Sequence, residues 1–203
     1  MSANIIARLK ITLDDVTPAV LRRLEVPLDI RLDRLHLTIQ AAMGWANSHL
    51  YELRAGGVGW STPHPNADWG GDFLDARKAR LGDALEGIGR KKLTYLYDFG
   101  DGWEHTIKVE RLAGPEAGAL YPRLIEVSGP CPPEDCGGPW GYAEFRKAIK
   151  NPRHERHAEL MEWIGDDFDP DADNAERLSA EVAALGKAWS RKPANKRARR
   201  PRA

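Results

Sequence analysis

The sequence predicts an α+β fold: one domain with a mostly antiparallel sheet, one helix after the first two strands, and a C-terminal helical cluster. Short runs before residue 128 alternate apolar and polar residues, as strands with one buried face do. Two pairs of these runs are separated by turn-forming residues, which indicates antiparallel pairing. Apolar residues recur every three or four positions in one early segment and in the segments after residue 142, as in amphipathic helices.

The N-terminal quarter carries the first strands and the first helix. Residues 4–13 alternate, and residues 20–26 alternate again after an Asp- and Pro-containing break, so we expect an antiparallel pair. Residues 29–44 change to helical spacing, and Gly44 is a typical C-terminal stop. Residues 49–53 read as the next strand.

The middle of the chain is predicted to be a loop followed by a hairpin. Residues 56–75 are rich in Gly, Pro, Trp and Asp and show no period, so we expect a long loop. Residues 81–85 allow one short helical turn. Residues 91–99 and 103–112 form two strands around a tight Gly-Asp-Gly turn, and residues 123–127 form a further strand.

The C-terminal third is predicted to be helical after a rigid loop. Residues 128–142 contain many prolines and glycines, which fix or permit unusual backbone angles. Residues 143–149, 155–164 and 173–189 have helical spacing. We therefore expect one domain over residues 1–188 and a disordered basic tail over 189–203.

Composition predicts a cytoplasmic protein. The chain has 203 residues and 42% hydrophobic content, enough for a substantial core. No apolar run approaches the roughly 20 residues that cross a bilayer, and the first residues do not resemble a secretion signal. Two cysteines do not form a disulfide framework, and a reducing compartment would keep them as thiols.

The net charge of zero conceals a strongly basic C-terminus. Removing its seven basic residues from the total of 30 leaves 23 basic against 30 acidic residues in the rest of the chain. Such a tail could bind nucleic acid through phosphates, or simply aid solubility. The candidate nucleic-acid residues are Arg191, Lys192, Lys196, Arg197, Arg199, Arg200 and Arg202.

The predicted hairpin concentrates ionisable groups beside aromatic rings. Asp98, Glu104 and His105 could act as general acid and base or as metal ligands. The alternative is that His105 packs on the core face with Trp103, while the acids shape the turn. Strand alternation favours packing for His105, and it places Glu104 on the wetter face.

The proline-rich loop and the aromatic residues provide further candidates. Cys131 and Cys136 have a spacing that zinc sites accept, but such a site needs two more ligands, and small buried thiols in a rigid loop are the favoured explanation. Tryptophans and tyrosines near turns could line a cleft or seal the sheet edge. The candidate ligand-binding set is Trp45, His49, Tyr51, Asp98, Asp101, Trp103, Glu104, His105, Glu134, Asp135, Trp140 and Tyr142.

Two long motifs carry a resemblance to a known family. They are Tyr97-Asp98-Phe99-Gly100-Asp101-Gly102-Trp103-Glu104-His105 and Cys131-Pro132-Pro133-Glu134-Asp135-Cys136-Gly137-Gly138-Pro139-Trp140-Gly141-Tyr142. Over roughly residues 4–185, the chain resembles the Ri-plasmid open-reading-frame-three-like family. The resemblance implies a single α+β domain with a mostly antiparallel sheet, and it supplies no catalytic residues. Some members carry the name of a transposon resolvase, TnpR.

These observations predict a non-enzymatic binding or interaction module associated with mobile DNA. The alternative is a metal-dependent or acid/base enzyme that uses the Asp98–His105 hairpin and the Cys131–Tyr142 loop. We expect no cofactor and no bound metal. The expected partner is a protein, a peptide or a small ligand, with nucleic acid as a further partner of the tail and no membrane partner.

Overall fold

One twisted sheet organises the molecule. The structure, a computed structural model, describes residues 5–63, 73–86, 92–165 and 168–190. Within these ranges the strands are β1 Ile6–Leu13, β2 Val20–Pro27, β3 Tyr51–Ala55, β4 Val58–Ser61, β5 Phe73–Asp75, β6 Lys92–Tyr97, β7 Trp103–Ala113 and β8 Arg123–Ser128. Their order is β5-β4-β3-β6-β7-β1-β2-β8, and every neighbouring pair is antiparallel except β4 with β5. The predicted α+β fold is confirmed.

Helices complete the fold. They are α1 Leu32–Met43, α2 Leu81–Glu86, α3 Gly138–Lys150, α4 His157–Ile164 and α5 Ala175–Ser190. α5 packs against β8 and α1, while α3 packs against α4. Among the helices that the structure describes, none has the length and apolar character needed to span a bilayer. The domain boundary after residue 188 stays a prediction, and the tail from residue 191 lies outside the described ranges.

The predicted loop over residues 56–75 was wrong in part. It contains β4 and β5, and β4 pairs with β3 through a two-residue turn at Gly56 and Gly57, whose φ angles are 56° and 88°. Positive φ at both turn positions suits glycine and matches the twist of a hairpin. These strands are only four and three residues long, so no alternating pattern announces them. Residues 64–72 of the predicted loop lie outside the described residues.

The predicted rigid loop ends earlier than expected. α3 begins at Gly138, so Trp140 and Tyr142 lie on a helix rather than in a loop. Pro139 occupies the first turn, where a missing N–H costs nothing because no intrahelical acceptor exists there. The Gly- and Pro-rich composition therefore concealed a helix N-terminus. Similarly, the strand predicted from His49 starts at Tyr51.

The two faces of the sheet differ sharply. On the central strand β7, Trp103, His105, Ile107 and Val109 are buried on the face that carries the core, as their alternation predicts. The opposite face is charged and solvent-facing. There, Arg23 pairs with Glu110 at 2.9 Å across the β1 strand that separates them. Successive side chains of a strand point to opposite faces of the sheet, so the same alternation produces the apolar core face and the charged outer face.

Candidate site at the edge of the sheet

A buried polar network fixes the segment that follows α1. His36 Nδ1 lies 2.8 Å from the Tyr95 hydroxyl, and His36 Nε2 lies 2.6 Å from Asn47 Oδ1. Gln40 Nε2 donates to the same hydroxyl at 2.8 Å. The backbone N–H of Asn47 donates to Gln40 Oε1 at 3.1 Å. Helix α1 and strand β6 together therefore hold residue 47 in one place.

His36 is neutral in this network. Because Asn47 Oδ1 can only accept, Nε2 carries the proton and Nδ1 accepts from the Tyr95 hydroxyl. The ring also stacks on Tyr51, with centroids 3.6 Å apart and planes within 5°. Burial lowers the pKa of His36 to about 4. Both ring nitrogens of His36, both amide atoms of Gln40 and the Tyr95 hydroxyl have partners. The network is therefore typical of a structural element rather than of a reactive centre.

The segment after α1 also binds the proline-rich loop. Trp45 Nε1 donates to the Pro132 carbonyl at 2.9 Å, and the Ala46 N–H donates to Glu134 Oε2 at 2.7 Å. The Tyr97 hydroxyl donates to the other oxygen of Glu134 and accepts from the N–H of Ser48 at 2.9 Å. Burial and the Glu134 charge raise the pKa of Tyr97. Tyr97 thus connects the segment after α1 to the proline-rich loop.

The hairpin turn packs against the start of α3 through glycines. Asp101 Oδ2 accepts from the Gly137 N–H at 3.2 Å. Gly138 has a φ of 70°, and a Cβ there would lie 2.3 Å from the Asp101 carbonyl oxygen. A Cβ at Gly141 would lie 2.0 Å from the Cys136 carbonyl oxygen. Only glycine permits these approaches, so the glycine motif places the loop against the hairpin.

These contacts bring His49, Asp98 and Asp135 together from three separate segments. His49 Nε2 lies 3.0 Å from Asp135 Oδ1 and 3.6 Å from Asp98 Oδ2. The Nε2 atom is buried from solvent, yet neither carboxylate contact has the geometry of a hydrogen bond. Elsewhere in the described part of the chain, no other three His, Cys, Asp or Glu side chains gather so closely.

The backbone is unusual around this cluster. Asn47, Asp98 and Asp135 have φ angles of 58°, 55° and 61°, in the left-handed region that side chains rarely occupy. Asp and Asn tolerate this region better than other residues. Asp98 is held by its own turn, since its Oδ1 accepts from the Gly100 N–H at 2.9 Å. Two of the three clustered side chains thus project from constrained positions.

An aromatic groove adjoins the cluster. It runs between α3 and α4, has a volume of about 540 Å³, and includes Asp135 at its lining. Trp140 is 78% exposed and Trp163 is 47% exposed, while Phe145 is buried against Trp163. Glu144, Glu159 and Arg156 also line it. An apolar groove with a charged rim suits a ligand that has both apolar and polar groups.

Comparison with known proteins places the chain in a family. The sequence model of the plasmid pRiA4b ORF-3-like proteins matches residues 5–177. The chain belongs to this family. Uncharacterized protein y4hQ of Sinorhizobium fredii is 52% identical over 192 residues, which cover 94% of this chain and 97% of y4hQ. A crystal structure of MM3350, a protein of unknown function from Methanosarcina mazei Go1, has 32% identity and a TM-score of 0.74, covering 86% and 98% of the two chains.

In this family member, most of the predicted aromatic candidates are buried. Trp45, Tyr51, Trp103 and Tyr142 lie in the core, and only Trp140 of that set presents a large exposed ring. Trp45 stacks on Tyr97 with centroids 5.0 Å apart. These rings therefore hold the site's scaffold together, whereas Trp140 faces solvent.

The ionisable candidates divide between the site and other places. Asp98, Asp135 and His49 form the cluster, while Glu134 and Asp101 make the contacts that position it. His105 is fully buried among rings, and burial lowers its pKa to about 4. Glu104 is exposed on the opposite face of the sheet. Asp98, Glu104 and His105 therefore do not share one pocket.

The cysteines do not approach the cluster as a ligand set. Cys131 and Cys136 are free thiols, and burial raises the pKa of each to about 12. A thiol must lose its proton to bind zinc tightly, so this environment favours packing. In the part of the chain that the structure describes, neither cysteine joins a group of three metal-ligating side chains.

Sequence reasoning missed part of the site. The buried residues His36 and Gln40 and their partner Asn47 were not among the candidates, although they hold the segment that carries His49. Trp163, which lines the groove from α4, was also missed. An exposed tryptophan on each of two neighbouring helices was the available signal, but the late predicted start of α3 concealed it. The seven basic tail candidates lie outside the described residues.

Proposed function

We propose that this protein is a non-enzymatic binding module that takes a peptide in the groove between α3 and α4. The observation that carries the proposal is Trp140, whose ring is 78% exposed beside the partly exposed Trp163. Exposed aromatic pairs rimmed by charge are typical of interaction surfaces. The two rings border a groove large enough for one or two side chains of a partner.

The charge of the rim defines the class of peptide. Asp135, Glu144 and Glu159 supply three negative charges, and Arg156 supplies one positive charge that pairs with Glu159 at 2.8 Å. The rim is therefore net acidic. We expect an aromatic or long aliphatic anchor flanked by lysine or arginine, since opposite charges steer association.

A peptide array tests this proposal. Synthetic nonapeptides with one central Trp, Phe or Leu are prepared in two sets, flanked either by lysine or by glutamate. We expect binding to the lysine set, with Kd in the micromolar range typical of short peptides, and little binding to the glutamate set. Trp140→Ala should weaken binding at least tenfold, because hot-spot tryptophans contribute about 2 kcal/mol or more.

A matched variant controls for nonspecific loss of apolar surface. Leu112 is 48% exposed near the end of β7 and does not line the groove. Leu112→Ala should bind the lysine set as wild type does. Equal weakening by both variants, or equal binding of both peptide sets, would reject the groove as the binding surface.

An association with mobile DNA forms the second part of the proposal. Its support is the plasmid origin in the family's name and the run of seven basic residues after residue 190. Phosphate contacts by such a run weaken steeply with salt. We expect a chain truncated after Ser190 to lose binding to duplex DNA at 50 mM salt. Retained binding in the truncated chain would remove the tail from this role.

A metal-dependent enzyme is the second candidate function. His49 between Asp98 and Asp135 favours it, because one imidazole and two carboxylates are ordinary ligands of catalytic metal ions. The test is hydrolysis of p-nitrophenyl phosphate and p-nitrophenyl acetate with and without added Zn²⁺. A zinc-dependent rate that His49→Ala abolishes supports the enzyme, and rates equal to buffer with zinc count against it for these substrate classes.

A further inference from the structure

We propose that His49, Asp98 and Asp135 bind a divalent transition-metal ion. The three side chains come from the segment after α1, from the hairpin and from the proline-rich loop, so distant parts of the chain converge here. The inference concerns this cluster alone and does not depend on peptide binding in the neighbouring groove.

The distances within the cluster suit ligands of one ion. Ligand atoms at about 2.1 Å from a metal, at about 90–109° to each other, lie about 3.0–3.4 Å apart. His49 Nε2 lies 3.0 Å and 3.6 Å from its two carboxylate neighbours. All three donor atoms lie within 4.8 Å of one another. The two distances from His49 Nε2 therefore lie within about 0.2 Å of the range expected for ligands of one ion.

The hydrogen bonding of His49 points to a ligand that is not part of the chain. Its Nε2 atom is buried but forms no hydrogen bond with any described residue, although one carboxylate oxygen is within 3.0 Å. An ordinary His–Asp hydrogen bond would align the N–H with the oxygen. The ligand atoms of His49, Asp98 and Asp135 lie close together without forming hydrogen bonds to one another, as atoms that bind one shared ion would.

The surroundings hold two of the three ligands in place. Asp98 is only 8% exposed, and its second oxygen is occupied by the Gly100 N–H. The backbone N–H of His49 donates to the Tyr97 hydroxyl at 3.2 Å, and this bond fixes the backbone of His49. Such supporting contacts orient metal ligands and strengthen binding. Asp135 is the exposed member, with 68% side-chain exposure.

The donor set selects the class of ion. One imidazole nitrogen with two carboxylate oxygens suits Zn²⁺, Mn²⁺, Fe²⁺ or Co²⁺, whereas Mg²⁺ and Ca²⁺ prefer oxygen ligands throughout. Three protein ligands also leave a coordination position for water or for a group of a bound ligand. The groove between α3 and α4 shares Asp135 with this cluster.

Isothermal titration of the untagged full-length chain with ZnCl₂ tests the site. We expect one zinc ion per chain with Kd in the micromolar range or tighter. Asp98→Asn and Asp135→Asn should each weaken binding at least tenfold, and His49→Ala should abolish it. Both asparagine variants keep a residue that tolerates positive φ, so the backbone is preserved. If Asp98→Asn unfolds, Asp135→Asn at its exposed position still carries the test.

Two controls separate this site from nonspecific binding and from the groove. Asp29→Asn alters an exposed carboxylate outside the cluster, and Trp140→Ala alters the groove; both should bind zinc as wild type does. The absence of binding, unchanged affinity in the His49, Asp98 and Asp135 variants, or equal affinity for Mg²⁺ would overturn the proposal. In that case His49 and the two acids form an ion pair only.

Discussion

Two histidine-centred regions lie on either side of the same short segment and differ in how well they are satisfied. His36 lies in the core, where Tyr95 and Asn47 occupy both ring nitrogens. His49 lies at the edge, where its Nε2 atom is buried without a hydrogen bond beside two carboxylates. Complete satisfaction stabilises a structure, whereas a buried polar atom without a partner calls for another explanation.

This difference in hydrogen bonding indicates that the His36 network is structural and that the His49 cluster binds a ligand. The core network ties α1 to β6 and fixes the position of Asn47. The edge cluster depends on that placement, because His49 follows two residues later. Changes in the core should therefore lower stability, while changes at Asp135, the exposed residue of the cluster, should alter ligand binding and leave stability nearly unchanged.

Acid should destabilise the core most. Burial lowers the pKa of both His36 and His105 to about 4, whereas an unfolded histidine titrates near 6.5. Between these values the unfolded chain binds protons that the folded chain does not, so stability falls as pH falls. From pH 7 to pH 5 we expect a loss of about 2 kcal/mol for each histidine, measured by urea unfolding.

Histidine variants identify the source of that pH dependence. His36→Gln and His105→Gln should each lose stability at pH 7 and also show a shallower decline from pH 7 to pH 5. The partly exposed His154 provides the matched control, and His154→Gln should decline as wild type does. An equal decline in all three variants would show that other groups cause it.

Gly138→Ala should disturb the edge without touching the core network. A Cβ at this position would collide with the Asp101 carbonyl oxygen, so the loop carrying Asp135 must move from the hairpin carrying Asp98. We expect a loss of about 3 kcal/mol in the free energy of unfolding. Gly118→Ala is the control: its φ is 77°, but no atom lies within 4 Å, so about 1 kcal/mol is expected. Equal losses would remove the steric explanation.

Tyr95→Phe should cost about 2 kcal/mol. The variant leaves His36 Nδ1 and Gln40 Nε2 without their shared partner in a buried setting. Tyr121→Phe removes a hydroxyl that accepts one exposed N–H bond from Glu116, and it should cost less than about 0.5 kcal/mol. Urea unfolding at pH 7 distinguishes the two. A small effect at both positions would mean that the core network contributes little.

Asp135→Asn should have the smallest effect on stability. The side chain is 68% exposed, and exposed ion pairs contribute about 0–1 kcal/mol. We expect a change below about 0.5 kcal/mol in urea unfolding without metal. A loss as large as that of Tyr95→Phe would indicate that the edge cluster is structural, and would remove its contrast with the core.

The sequence predicted the sheet's central strands well for a physical reason. β1, β2 and β7 each expose one face, so their side chains alternate visibly. β4 and β5 were not predicted because strands of four and three residues are too short to show an alternating pattern. The start of α3 was not predicted because the glycines that let this helix approach the hairpin are also typical of loop sequences.

The residues of the candidate site could be predicted from the sequence, but their convergence in space could not. His49, Asp98 and Asp135 were all among the sequence candidates, but so were buried residues such as Trp103 and the remote Glu104. Nothing in local patterning shows that segments 37 residues apart or more meet at one point. Long-range packing, directed here by Gly138 and the Tyr97 hydroxyl, decides which candidates converge.

NMR of the imidazole nitrogens during zinc addition compares the two regions most directly. With ¹⁵N-labelled protein, we expect one equivalent of Zn²⁺ to shift the Nε2 resonance of His49 and to leave the resonances of His36 and His105 unchanged, because their ring nitrogens are enclosed in the core. An unchanged His49 resonance, or equal shifts at His36, would contradict the distinction between the hydrogen-bonded His36 network and a ligand-binding cluster at His49.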